Sequence, residues 1–170
     1  DLQNENIPLS EKMVKSALGH IKILEDLDFD LIKVSLKSSD VMTTIEAYRS
    51  IAEKIPYPLH LGVTEAGTLR GGLIKSAAGL GTLLAEGIGD TIRVSLTENP
   101  TEEVTAGYDI LKCLGLRERG VNFVSCPTCG RTQIDLISLA KRVEERFKDL
   151  PYPIKIATNV CSLNLSLKQI

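Results

Sequence analysis

The sequence predicts an α/β protein built on a parallel sheet. Runs of helical period alternate with short β-branched runs along the whole 170-residue chain, and the connections between them are short. Each strand-type run ends in polar or ionisable residues, as expected where chemistry gathers at the C-terminal ends of parallel strands. Five βα units of this kind imply right-handed crossovers. Alternation alone leaves a closed barrel and an open wound sheet both available.

Ser10 reads as the N-cap of a first helix over residues 11–27, where Met13, Val14, Ala17, Leu18, Ile21 and Leu24 recur at helical spacing. Residues 31–36 form the first strand and run into Lys37-Ser38-Ser39-Asp40. A second helix over residues 41–53 leads through Pro56-Tyr57-Pro58 into a strand at 59–63. Thr64-Glu65 and the glycine-bearing segment 66–72 then precede a third helix over 73–86, whose Ala, Gly and Ser suit close packing on a sheet. The strand at 91–96 ends in Thr97-Glu98-Asn99-Pro100, and a fourth helix spans 101–114. Residues 121–125 form a strand that delivers Cys126, a fifth helix covers 133–148, and Pro151-Tyr152-Pro153 introduces a last strand at 154–157. The doubled helix–Pro-Tyr-Pro–strand phrase is an echo between units, and two copies do not make a repeat architecture.

Composition narrows the function. The chain is 43% hydrophobic and 25% charged, ordinary for a soluble globular protein of one domain or one domain plus part of another. No apolar run reaches the roughly 18 residues that would span a bilayer. The polar start, Asp1-Leu2-Gln3-Asn4, lacks the order of a signal peptide, and with no initiator Met the chain reads as processed, excised or a fragment. A net charge of −2, few aromatics and no Trp argue against nucleic acid and anionic membranes as partners. Four cysteines without export signals favour metal binding or redox chemistry over a disulfide framework.

Cys126-Pro127-Thr128-Cys129 is the sharpest local signal. Thiolates two residues apart face one point across a turn, so they suit a zinc ion, two irons of a cluster, or a redox dithiol. Pro127 and Gly130 favour a tight turn there. A helix-opening dithiol would leave Cys161 unused. Zinc needs four ligands, and His20 and His60 lie in apolar contexts that suit core or surface roles. A cluster on Cys126, Cys129 and Cys161 needs one more ligand or leaves one iron open. Cys113, after Ile110-Leu111, reads as a small buried hydrophobe. Elsewhere, Lys37, Glu65, Arg93 and Ser95 fall at or near the ends of three successive strands, which parallel geometry gathers around one cleft. Two cations and a hydroxyl suit a phosphorylated or diphosphorylated ligand, with amides of the Gly67 to Gly72 loop as further donors. A carboxylate beside them can act as acid or base. Arg93, between Ile92 and Val94, needs a partner or an anion if it points inward.

Three segments carry a family resemblance. Pro58-Leu59-His60-Leu61-Gly62-Val63-Thr64-Glu65-Ala66-Gly67-Thr68, Gly87-Ile88-Gly89-Asp90-Thr91-Ile92-Arg93-Val94-Ser95 and Ser125-Cys126-Pro127-Thr128-Cys129-Gly130-Arg131-Thr132 resemble, in order, the hydroxymethylbutenyl diphosphate synthases. The resemblance covers about residues 8 to 161. It implies the C-terminal part of a TIM-type (β/α)8 barrel over residues 1–120, then the start of an iron–sulfur domain over 121–161. It also implies reductive ring opening and dehydration of 2-C-methyl-D-erythritol 2,4-cyclodiphosphate, with electrons from reduced flavodoxin or ferredoxin, in the cytoplasm or a plastid stroma. By the same resemblance Cys126, Cys129 and Cys161 are ligands of a 4Fe–4S cluster, and Lys37, Arg93 and Ser95 line the diphosphate pocket. Glu65 is the carboxylate facing the reacting carbons, and the working form is a homodimer.

The chain departs from that pattern at both ends. It supplies about the second half of a barrel, and a partial barrel with bare strand edges is expected to be poorly stable or to dimerise. After Cys161 the family reads Val-Val-Asn-Gly-Pro-Gly-Glu, whereas residues 162–170 diverge and put Lys168 where the glutamate ligand belongs. A protonated amine cannot ligate iron. A gene fragment with a foreign tail, inactive by itself, is the simplest expectation. Competing readings are a non-catalytic zinc or iron–sulfur binding module and a phosphosugar-type barrel enzyme with an incidental C-x-x-C. Colour and metal content after reconstitution separate them.

Overall fold

The computed structural model describes residues 6–128, 132 and 134–158. Helices and strands alternate: α1 (Leu9–Glu25), α2 (Val41–Ala52), β1 (His60–Gly62), α3 (Leu69–Ala85), β2 (Thr91–Arg93), α4 (Pro100–Cys113), β3 (Asn122–Ser125), α5 (Leu136–Phe147) and β4 (Lys155–Thr158). The chain divides into two compact units, Asp1–Arg117 and Glu118–Ile170.

In the first unit β1 and β2 pair in parallel, and the segment around Val34 joins them through a single bridge to Leu59. The sequence predicts a full strand over 31–36; the structure keeps only that bridge. Phenol chemistry replaces the rest of the ladder. Tyr48, fully buried on α2, accepts a hydrogen bond from the Leu36 N–H at 3.0 Å and donates to the His60 carbonyl. Ser35 Oγ also donates to that carbonyl at 3.0 Å. Burial pushes the Tyr48 hydroxyl above its usual range, so it stays a donor across physiological pH.

Asp90 fixes the register of β1 on β2. Its carboxylate accepts from the Leu59 N–H at 2.7 Å, and its own N–H donates to the Leu59 carbonyl at 2.9 Å. Register then follows as His60 opposite Thr91, Leu61 opposite Ile92 and Gly62 opposite Arg93.

The helices pack on the apolar face of these strands. Val34, Leu36, Leu59, Leu61 and Val94 form one core with Val14, Ile21, Ile45, Tyr48, Ile51, Leu80 and Leu83. Gly72, Ser76 and Gly79 line the buried side of α3. A Cβ at Gly72 would sit 2.5 Å from Leu96 Cδ2, and one at Gly79 would sit 2.9 Å from Val63 Cγ2, so the small residues set how closely the helix lies on the sheet.

Three local expectations are corrected. Ser10 lies inside α1, buried, with its hydroxyl donating to Glu46 at 3.0 Å, because Pro8 occupies the cap position and starts the helix earlier. Helix α3 starts at Leu69 and absorbs Gly71 and Gly72, and the packing against Leu96 requires a glycine at the second of them. Cys113 is exposed, since it is the last residue of α4 and falls off the face that buries Ala106 and Ile110.

In the second unit β3 and β4 pair in parallel, from Asn122 opposite Lys155 to Ser125 opposite Thr158. Helix α5 buries Leu136 and is capped by Asp135, which accepts from the Ser138 N–H at 3.1 Å. Among the described residues the five predicted strands therefore form two separate parallel groups. No helix among them is long and apolar enough to cross a membrane.

Candidate functional site

Strand alternation sorts the side chains of the first unit by chemistry. Val34, Leu36, Leu59, Leu61, Val63 and Val94 are buried, whereas Lys33, Ser35, Lys37, His60, Gly62, Thr91, Arg93 and Ser95 alternate with them and share the opposite face. That face carries three cationic side chains, an imidazole and hydroxyls. No carboxylate among the described residues forms an ion pair with Lys33, Lys37 or Arg93.

Gly62 lets two of these cations converge. A Cβ at this position would lie 3.1 Å from Lys37 Cε, 3.2 Å from Lys37 Cδ and 3.1 Å from the Arg93 carbonyl oxygen. The aliphatic stem of Lys37 therefore crosses β1 over the glycine toward β2. Burial, then the positive charges of Arg93 and Lys33, holds the Lys37 ammonium below its usual range. Arg93 Nη2 donates to Ser95 Oγ at 3.4 Å. His60 is held below the usual imidazole range by burial first, then by Lys37, Lys33 and Arg93. Repulsion among like charges without a local counterion favours an anion of more than one charge.

Glu65 stands on the loop that follows β1, in the left-handed region at φ 51°. A backbone of this kind costs on the order of 1–3 kcal/mol in a non-glycine residue and persists only where neighbours hold it. Anchors on both sides do so. The Thr64 N–H donates to the Ser38 carbonyl at 3.1 Å, and the Thr97 N–H donates to the Gly67 carbonyl at 3.0 Å. Ala66, between them, is buried. Ser38 follows Lys37 and Thr97 lies two residues past Ser95, so the exposed Glu65 is tethered to the ends that carry the cations. Only Gly67 of the predicted glycine loop remains outside α3, whose N-cap Thr68 makes no side-chain cap bond.

In the second unit Cys126 follows β3 directly, half-buried, with a free thiol. Its N–H donates to the Thr158 carbonyl at 3.2 Å, which extends the β3–β4 ladder to the cysteine. Cys129, Cys161 and Lys168 lie outside the described residues. Cys161 follows Thr158 by three residues, a reach of at most about 11 Å of extended chain. Cys126 and Thr158 thus stand at the same end of one parallel pair. Among the described residues no three His, Cys, Asp or Glu side chains gather into a metal site. Neither histidine belongs to such a group: His20 is exposed on α1 with Nδ1 bonded to the Ser16 carbonyl at 2.7 Å, and the cations around His60 repel a metal ion.

The structure thus puts Lys37, Arg93 and Ser95 on one face, with Glu65 on a loop tied to the same strand ends. Gly62 and Lys33 carry no site role in the sequence, and His60 reads there as a core or surface residue. Their signal was parity: each alternates with buried residues in phase with Lys37 or Arg93.

Fold and site together define an α/β protein with an uncompensated cationic sheet face and a cysteine-bearing parallel strand pair. Residues 2–108 match the GcpE TIM-barrel domain and residues 122–166 match the GcpE protein C-terminal domain. The chain belongs to the GcpE family. It is 60% identical over 158 residues to a protein from Dehalococcoides mccartyi (strain CBDB1) named 4-hydroxy-3-methylbut-2-en-1-yl diphosphate synthase (flavodoxin), covering 93% of this chain and 45% of that protein. Proteins of the same name from Geobacter sulfurreducens and Clostridium perfringens are 56% identical over 163 residues and 60% identical over 157. Those matches cover 96% and 92% of this chain, and 46% and 45% of the relatives. The chain spans about half the length of the curated relatives it matches.

Proposed function

We propose that this chain is part of an oxidoreductase that opens 2-C-methyl-D-erythritol 2,4-cyclodiphosphate to hydroxymethylbutenyl diphosphate, with electrons from a reduced flavodoxin or ferredoxin. Residues 1–120 are the C-terminal part of its barrel, residues 121–161 begin its iron–sulfur domain, and residues 162–170 form a divergent tail. The observation that carries the reading is the face on which Lys37, Lys33 and Arg93 stand without a carboxylate partner among the described residues. A cyclic diphosphate supplies the missing negative charge.

Lys37 and Arg93 hold the diphosphate, and the Ser95 hydroxyl both steadies Arg93 and offers a further hydrogen bond. Binding through the non-reacting diphosphate orients the carbon skeleton and converts part of the barrier into pre-organisation. Departure of a hydroxyl as water consumes a proton, and Glu65 is the carboxyl assigned to hold and deliver it. Its tethered left-handed backbone fixes where that carboxyl starts. Cys126, Cys129 and Cys161 would hold a 4Fe–4S cluster, which when bound supplies the electrons and a Lewis-acidic iron lacking a thiolate. Lys168 does not fit the fourth ligand position while protonated. The working form is a homodimer.

Anaerobic reconstitution of this chain with iron and sulfide tests the cluster, and turnover of the cyclodiphosphate with reduced flavodoxin, measured in a longer protein that contains these residues, tests Glu65. Brown protein with about four irons per chain and turnover cut on the order of 10²–10⁴-fold by Glu65→Gln are expected. Undiminished turnover in Glu65→Gln would remove Glu65 from the chemistry. A colourless protein with one tightly bound zinc would overturn the cluster.

A further inference from the structure

We propose that His60 is a proton-linked positioning residue of the anion site: a polyanion docking on Lys33, Lys37 and Arg93 drives a proton onto the His60 imidazole, which then helps hold the anion. The inference rests on the anion-site reading above. It goes further by giving a task to a side chain that none of the diphosphate-pocket or catalytic assignments uses.

His60 opens β1, directly opposite Thr91, and its Nδ1 lies 2.8 Å from Thr91 Oγ1. Gly62 follows on the same face two residues on, roughly 7 Å along the strand, and there the Lys37 stem crosses. The imidazole thus lies one rung from the crossing cation. The charged groups that face it are Lys33 and Lys37 from the edge segment and Arg93 from β2, with no carboxylate among them. The nearby Tyr48 and Ser35 hydroxyls bond the His60 carbonyl, not the ring. Without an anion, burial first and then these cations lower the proton affinity of the ring. A ligand of two or more negative charges reverses the sign of the cations' field.

Thr91 suits both protonation states. Its hydroxyl can donate to a bare Nδ1 or accept from a protonated one by rotating its hydrogen. Protonation therefore needs no rearrangement of the strand pair. By reciprocity, whatever the anion adds to proton affinity the proton adds to anion affinity. Binding raises the His60 pKa, so the added affinity is fully present below the free-state pKa. It is lost as pH rises through the bound-state pKa.

The test uses the full 170-residue chain and inorganic pyrophosphate. The His60 ring resonance is followed by NMR against pH, with and without saturating ligand, and His20 supplies the other imidazole signal for assignment. Calorimetry measures affinity at pH 5.5 and pH 8 for the wild type and His60→Gln, so that pyrophosphate's own titration cancels in the difference. The expected result is a His60 pKa raised by about one unit or more on binding. The wild type should then lose up to about tenfold more affinity than His60→Gln between the two pH values. Pyrophosphate that binds without moving the His60 titration, or equal pH dependence in both proteins, overturns the inference and leaves the anion site standing. No binding at either pH removes the anion site itself and the inference with it. Should His60→Gln fail to fold by circular dichroism, the wild-type NMR titration decides alone.

Discussion

The two units of this chain are built from the same parts and differ in how much they bury. The first, Asp1–Arg117, contains 18 of the 20 buried hydrophobic side chains among the described residues, from Val14 to Ile110. The second contributes only Val121 and Leu136, and leaves Ile134, Ile137, Val124, Tyr152 and Ile154 exposed. A pair of strands with a single helix is marginal in water unless something else orders it. The first unit can therefore rest on its core, whereas the second is expected to draw order from what its cysteines bind. Metal binding of that kind is folding free energy.

The largest effect should come from the core of the first unit. Leu61 of β1 is fully buried in the core that the strands share with the helices, and Leu61→Ala is expected to cost about 3 kcal/mol in urea unfolding. Ile137→Ala in the second unit, 59% exposed, should stay within about 0.5 kcal/mol. Equal losses would break the contrast.

Next in size is the coupling of the second unit to its cluster. Reconstitution with iron and sulfide should raise amide protection in β3 and β4 and leave α2 and α3 unchanged. Cys126→Ser should abolish the gain without moving the unfolding midpoint of the first unit. A uniform rise across both units would show that the cluster does not act locally.

The smallest effect compares two caps of the same chemistry. Asp40 accepts from the Thr43 N–H at 2.7 Å, and Asp135 accepts from the Ser138 N–H at 3.1 Å. The Thr43 backbone bond holds Asp40 below the usual carboxylate range, and the hydrogen bonds of Ser138 do the same for Asp135. Both contributions are present above the ordinary aspartate value of about 3.9 and are lost as pH falls through the lower folded-state values. Acid titration watched by circular dichroism should fray α5 before α2, because α5 buries only Leu136 among the described residues whereas α2 buries Ile45, Ala47, Tyr48 and Ile51. Asp135→Ala should flatten the first phase.

Much of this architecture is legible in the sequence because it depends on periodicity. Alternating runs give parallel βα units, and the strand ends give Lys37, Arg93 and Ser95 a common face. Where tertiary packing decides, the sequence signal fails. Residues 31–36 look like a strand, but with only one neighbour the segment bridges at Val34 alone, and the Tyr48 hydroxyl makes up the difference. Ser10 has the composition of a cap and the position of a buried side chain, because Pro8 starts α1 sooner. Gly71 and Gly72 look like a phosphate-binding loop, but both lie in α3, where Leu96 fills the space beside Gly72. His60, in an apolar run, gives no hint of its neighbours, which come from two other segments of the chain. Of the cysteine ligands implied by the family, only Cys126 lies within the described residues.

The Asp90 bracket on Leu59 makes the whole sheet a counting device. In β1 the even-numbered residues face the cations and the odd ones face the helices; in β2 and in the edge segment the assignment is reversed. Adding or deleting one residue between Asp90 and Arg93 would change neither composition nor charge balance greatly. It would nonetheless turn Arg93 toward Gly107 on α4, where Ile92 and Val94 now point, and bring an isoleucine to the anion face. Length changes here should be tolerated in twos far better than in ones, and the short stretch from Asp90 to Ser95 should resist insertion more strongly than its exposure suggests.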